Sequence, residues 1–144
     1  MRFDELNSAG SFEWMNGTQP IKQVIVMRHD LSMRRGKQIA QGAHASMSFL
    51  CQRLRTGQAV SLKEFTLEQQ AWLTGSFAKV CCRVDSEEDL LEIHAKAIAA
   101  ALEVHLITDS GKTEFHGQPT VTCLAIGPDD AAKIDAITGH LKLL

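Results

Sequence analysis

Lys37, Gln41 and His44 carry groups that can bind an anion and move a proton, and they recur at close spacing along one stretch of chain. At 100° per residue they fall within roughly 60° of one another on a helix. A helix here would set an ammonium, an amide and an imidazole on one exposed stripe near its N-terminus. That end carries partial positive charge and free N–H groups, which suit an anion. The preceding loop adds Arg28, Arg34 and Arg35. From Arg28 to Arg55 six basic residues stand against one acid, Asp30. A second polar group is Asp109-Ser-Gly-Lys-Thr113. By itself, an aspartate in a glycine turn is most simply a turn-former. A carboxylate and an imidazole can each take a proton from water, and a lysine at a helix start can steady an oxyanion or a phosphate.

These groups need elements to hold them. Residues 21–27 are short, apolar and rich in β-branched side chains, the pattern of a strand buried on both faces. A polar turn over 28–35 leads into a helix from about Gly36 to Leu54. Its apolar positions Ile39, Ala43, Met47, Leu50 and Leu54 gather between roughly 200° and 280° when Lys37 is set at 0°, and form its expected buried stripe. Ser61 and Glu64 match a capping box for a short helix that Gly75 ends. Residues 78–84 form a second strand, and Asp85 or Ser86 caps a helix with acids in its first turn. A third strand spans 103–108, and a fourth spans 120–126, which contains Thr120 and Thr122. A last helix starts at 127–130 and ends near Gly139. Alternation of strands and helices predicts a layered α/β fold with a largely parallel core sheet. The link from the third strand to the fourth holds no helix, so the sheet is expected to be mixed. Residues 1–20 have no clear period and read as an extension or arm. Residues 21–144 read as one domain.

Composition narrows the function classes. With 144 residues, 44% hydrophobic and 22% charged, the chain can bury one core without a metal or disulfide staple. No run approaches the ~20 apolar residues that span a bilayer. The first twenty residues mix Arg2, Asp4, Glu5 and Glu13 among apolar ones, unlike a secretory signal. Cys51, Cys81, Cys82 and Cys123 make no C-x-x-C pair and read as buried, reduced thiols. Six histidines form no H-E-x-x-H or H-x-H, so no metal site is expected. There is no G-x-S-x-G nucleophile elbow. Gly111-Lys112-Thr113 is not a P-loop ending, because Leu106 stands where that motif needs glycine. The net charge of −2 is unhelpful for a nucleic-acid partner, but the basic stretch over 28–55 offsets it locally.

Four segments then fall in one order: Gly36-Lys-Gln-Ile-Ala-Gln-Gly-Ala-His-Ala45, Asp109-Ser-Gly-Lys-Thr113, Ile126-Gly-Pro128 and Thr138-Gly-His-Leu-Lys-Leu143. Over residues 22–144 the chain resembles the type 2 peptidyl-tRNA hydrolase family. The resemblance implies one compact α/β domain, a four-stranded mixed sheet flanked by helices on both faces, often a homodimer. It implies a hydrolase that cleaves the ester between peptide and tRNA, read here as cofactor-free, and the reduced cysteines point to a cytoplasmic protein. It assigns catalytic roles to Lys37, Gln41, His44, Asp109, Thr113 and Thr122, with Thr120 as the other candidate in that strand. The basic groups Arg28, Arg34, Arg35 and Lys112 would meet tRNA. The family usually has Ala, Arg and Gln where Ser110, Lys112 and Glu114 stand here. A tRNA- or protein-binding module without turnover, on the same fold, is the alternative reading.

Overall fold

The computed structural model describes residues 20–112 and 114–144. The arm expected over 1–20 therefore lies almost wholly outside the described residues, as does Thr113. The elements run β1 (Ile21–Arg28), α1 (Arg35–Arg55), a 3-10 turn (Leu62–Glu64), α2 (Leu67–Thr74), β2 (Lys79–Val84), α3 (Glu87–Ala99), β3 (Val104–Asp109), β4 (Thr120–Asp130) and α4 (Ala131–Thr138). The strands form one sheet in the order β2-β1-β4-β3. β1 pairs with β2 in parallel, and β4 is antiparallel to both β1 and β3. The expectation of a largely parallel core is thus corrected: one pair of three is parallel. β3 returns directly through a turn to β4, and a connection without a helix crossover gives an antiparallel pair.

Helices cover both faces. Against one, Leu90, Ile93 and Ala97 of α3 and Ile134 and Ile137 of α4 pack on Val24, Val26, Leu124 and Ile126. Against the other, Ala45 of α1 packs with Ile25, Met27, Cys123 and Ala125. Phe49, Phe65 and Trp72 close the end of that layer edge-to-face, and Trp72 donates Nε1–H to the Ala78 carbonyl at 2.7 Å.

Two local expectations change. The capping box is not at Ser61. Thr66 and Gln69 form it, with the Gln69 N–H bonded to Thr66 Oγ1 and the Thr66 N–H to Gln69 Oε1, each at 3.1 Å. Ser61 instead precedes the 3-10 turn and makes no side-chain cap. Of the cysteines, Cys82 and Cys123 are buried and Cys51 half-buried, but Cys81 is exposed; all four are free thiols. At the base of β3, Glu103 accepts hydrogen bonds from Arg53, Gln69 and His105. Burial alone would push its carboxyl up, but these donors hold it down at about 2. This network ties α1, α2 and β3 together.

Candidate active site

α1 faces the sheet differently from its apolar pattern. Ile39 is 67% exposed and Met47 55%, and Leu54 is exposed too, while Gln41, Ala45 and Phe49 are buried. The buried face lies roughly 160° around the helix from the expected stripe. Polar ties account for the difference. Ser46 Oγ donates to Gln23 Oε1 at 2.6 Å, and Gln23 Nε2 donates to the Ser46 carbonyl at 3.1 Å. Small Ala45 lets the helix sit close to the sheet. The Lys37–Gln41–His44 stripe is consequently not a solvated face: Gln41 is 2% exposed, Lys37 is mostly covered, and His44 alone of the three is open to solvent.

Gln41 sits at the centre of the site. Its Nε2 donates to Asp109 Oδ1 at 3.2 Å, and its Oε1 accepts the Thr122 hydroxyl proton at 2.5 Å. Lys37 Nζ lies 2.8 Å from the same Asp109 oxygen. The Gly111 N–H donates to Asp109 Oδ2 at 2.9 Å. The Lys37 hydrogen bond, the Gly111 N–H, the Lys37 charge and the Gln41 amide hold Asp109 below the usual carboxylate range, against the opposing effect of burial. The result is an ionised aspartate holding an ammonium, both fixed in place.

A β-bulge supplies the Thr122 contact. The β3–β4 register steps from Ile107↔Cys123 to Thr108↔Val121, so Thr122 is an extra residue on β4. Two consecutive residues then reach α1, since Thr122 Oγ1 bonds the Gln41 side chain and Cys123 Sγ donates to the Gln41 carbonyl at 3.4 Å. Thr122 is fully buried, and among the described residues its hydroxyl meets the site through Gln41. Thr120 instead bonds the Gln118 carbonyl in the loop.

Asp109 ends β3, and the turn after it depends on Gly111. Gly111 has φ +83°, and a Cβ there would lie 2.1 Å from the Gln118 carbonyl oxygen. Gly111, Cys123 and Phe115, whose ring centroid is 5.8 Å from Lys37 Nζ, also border the site, although the sequence pattern gives none of them a role there. The glycine turn beside Asp109 was a usable signal for the first; the other two contacts exist only through packing.

The basic residues separate. Arg28 is largely buried, forks onto Asp30 at 3.2 and 2.7 Å, and donates to the Val121 carbonyl at 3.0 Å. It braces the loop between β1 and α1 and the bulged end of β4. Arg34 is 89% exposed, with Glu114 3.7 Å away, and Arg35 and Lys112 are exposed as well. The first turn of α1 carries no acid and no side-chain cap. Arg34, Arg35 and Lys37 there oppose the preference of a helix N-terminus for negative charge, an arrangement that leaves the end open to an anion. Among the described residues no group of three His, Cys, Asp or Glu side chains stands close enough to hold a metal ion.

A family model described as Peptidyl-tRNA hydrolase PTH2 matches residues 21–144. The chain belongs to the peptidyl-tRNA hydrolase PTH2 family. Its relatives include the peptidyl-tRNA hydrolase of Methanocaldococcus jannaschii, 41% identical over 125 residues, which cover 86% of this chain and all of the relative. The Methanopyrus kandleri protein of the same name is 42% identical over 85% of this chain and 97% of its own. That of Aeropyrum pernix is 40% identical over 85% and 94%. The PTH2 match takes in all four collinear motifs and the whole of the sheet, and it starts where β1 starts.

Proposed function

We propose that this chain hydrolyses the ester joining a peptide, or an N-blocked aminoacyl group, to the terminal ribose of tRNA. The observation that carries the reading is the Lys37–Asp109–Gln41–Thr122 chain of hydrogen bonds at the open start of α1. In the reaction, water adds to the ester carbonyl, the carbonyl oxygen becomes an oxyanion, and the C–O bond to the ribose breaks. The ribose oxygen leaves with a proton, and the peptide leaves as a carboxylate. The Lys37 ammonium, held by Asp109, is assigned to stabilise the oxyanion. Asp109 is engaged by three donors and held ionised, which makes it a weak base. His44, exposed on the same helix stripe, is therefore assigned the proton transfer from water to the ribose oxygen. Thr122 is a positioning residue: it fixes which end of the Gln41 amide meets Asp109. Thr113 is assigned the orienting of water and peptide carbonyl by hydrogen bonds. Arg34, Arg35 and Lys112 are assigned to tRNA phosphates, with Arg28 bracing the loop that presents them.

Two further assignments belong to this reading. The chain acts in the cytoplasm; its four free thiols suit a reducing compartment. It forms a homodimer through the apolar groove between α1 and β2, where Ile39, Met47, Phe77 and Leu144 are exposed. Among the described residues no helix is long and apolar enough to cross a membrane.

The test is incubation with N-acetyl-phenylalanyl-tRNA. Free N-acetyl-phenylalanine should appear faster than by spontaneous loss, and Lys37→Ala should slow it about a hundredfold. Tight tRNA binding without release would favour a binding module. A Lys37→Ala variant as fast as the parent would remove Lys37 from the mechanism.

A further inference from the structure

The two edges of the sheet differ. β2, at one edge, is accompanied by the C-terminal segment: Cys82 bridges Leu143, the Arg83 N–H bonds the Lys142 carbonyl at 2.9 Å, and the Leu144 N–H bonds the Cys81 carbonyl at 3.0 Å. β3, at the other edge, pairs among the described residues only with β4. No residue of β3 is fully buried, and Thr108 is exposed. Native sheets ordinarily cover or blunt such an edge, because its outward N–H and C=O groups are a template for another strand.

A groove runs beside this open edge. Its volume is about 460 Å3, and its walls include His44, Ser48, Cys51 and Arg55 of α1, together with Ala43 and Met47, and Leu106 to Thr108 of β3. His44, Ser48, Cys51 and Arg55 stand at spacings of four, three and four, so these four form one continuous stripe. From His44 to Arg55 the helix rises roughly 16 Å, the length of about five residues of extended chain. One end of the groove is the site itself: His44 lines it, and Thr108 precedes Asp109. Its lining mixes apolar and polar groups, as suits a chain of variable sequence.

We propose that this groove holds the peptide part of the substrate, as an extended segment added to the free edge of β3. The proposal rests on the peptidyl-tRNA reading above and extends it to a peptide subsite. The geometry sets the direction. The esterified C-terminal residue lies at the Asp109 end, and the peptide's earlier residues run toward Arg55. β3 also runs toward Asp109, so the peptide joins it in parallel. Main-chain hydrogen bonds give affinity without demanding a sequence, which is the property an enzyme needs if it meets unfinished chains of any composition. Cys51 and Ser48 are then specificity-setting residues that touch the peptide two or more residues from the ester.

The test compares N-acetyl-phenylalanyl-tRNA with an N-acetylated tetrapeptidyl-tRNA ending in the same phenylalanine. In the parent enzyme, kcat/KM should be about tenfold or more higher for the tetrapeptide. Cys51→Trp and Ser48→Trp, which fill the groove, should bring the two substrates to parity, and an unchanged circular-dichroism spectrum and urea midpoint certify the fold; a tetrapeptide advantage that survives both variants overturns the groove. A second arm needs no variant. N-methylation of single peptide nitrogens should slow the parent enzyme at alternate positions only, because successive N–H groups of a strand point to opposite sides. Turnover of the short substrate with no gain from peptide length overturns the groove and leaves the hydrolase reading standing. A length gain without alternation overturns the strand pairing. No turnover of either substrate overturns both readings.

Discussion

Asp109 accepts hydrogen bonds from Lys37, Gln41 and Gly111, and this sets how the site responds to pH. Its folded carboxyl titrates below its unfolded value. The interaction is therefore complete above about pH 4 and is lost as pH falls through the lower folded value. A kcat/KM profile should show the Asp109 limb below about pH 4. If Asp109→Asn abolished a limb between pH 5 and 7, the assignment would be wrong. Thr122 tests the positioning argument. Thr122→Val keeps the shape but removes the hydroxyl that donates to Gln41 Oε1. We expect kcat to fall about tenfold with KM little changed, and stability in urea to drop by about 1–3 kcal/mol for the unsatisfied amide. Unchanged kcat would reduce Thr122 to a packing residue.

α1 shows how an element can obey its period and still present the unexpected face. The apolar residues Ile39, Ala43 and Met47 do lie on one stripe, but that stripe faces outward. Hydrogen bonds from Gln41 and Ser46, and the close approach at Ala45, decide the rotation. Ala45→Leu should overpack the sheet and cost about 1–3 kcal/mol in urea denaturation. Ile39→Ser, measured in dilute solution, should stay within about 0.5 kcal/mol of the parent. The reverse ranking would mean that α1 is rotated as its hydrophobic pattern alone suggests. The bulge on β4 belongs to the same scale. Thr122 and Cys123 both meet α1 because one strand carries an extra residue there, and the alternation of polar and apolar residues does not announce it.

For the whole molecule, the net charge of −2 hides a local surplus. Arg34, Arg35 and Lys112 are exposed around the start of α1, and the acids Glu87, Glu88 and Asp89 sit at the start of α3, which packs on the other face of the sheet. If the three basic groups each meet a phosphate, tRNA affinity should fall with salt at a log–log slope of about −2 to −3. Arg35→Glu should reduce that slope by about one. A flat response in a filter-binding titration would count against tRNA at this face.

By itself the sequence determined the number and order of the strands, the helix carrying Lys37, Gln41 and His44, the glycine turn at Asp109, and the family. These are local or collinear properties: period, punctuation and motif order survive without knowledge of distant contacts. Tertiary structure decided the rest. It set the sheet order and its single parallel pair, turned α1 so that Gln41 is buried, put the Thr122 hydroxyl on Gln41 and the Thr120 hydroxyl on the Gln118 carbonyl, and drew Arg28 inward onto Asp30. Each of these depends on which residues meet across the sheet. Hydrogen-bond satisfaction in a buried interface, not the hydrophobic pattern of one segment, selects among the arrangements that pattern permits.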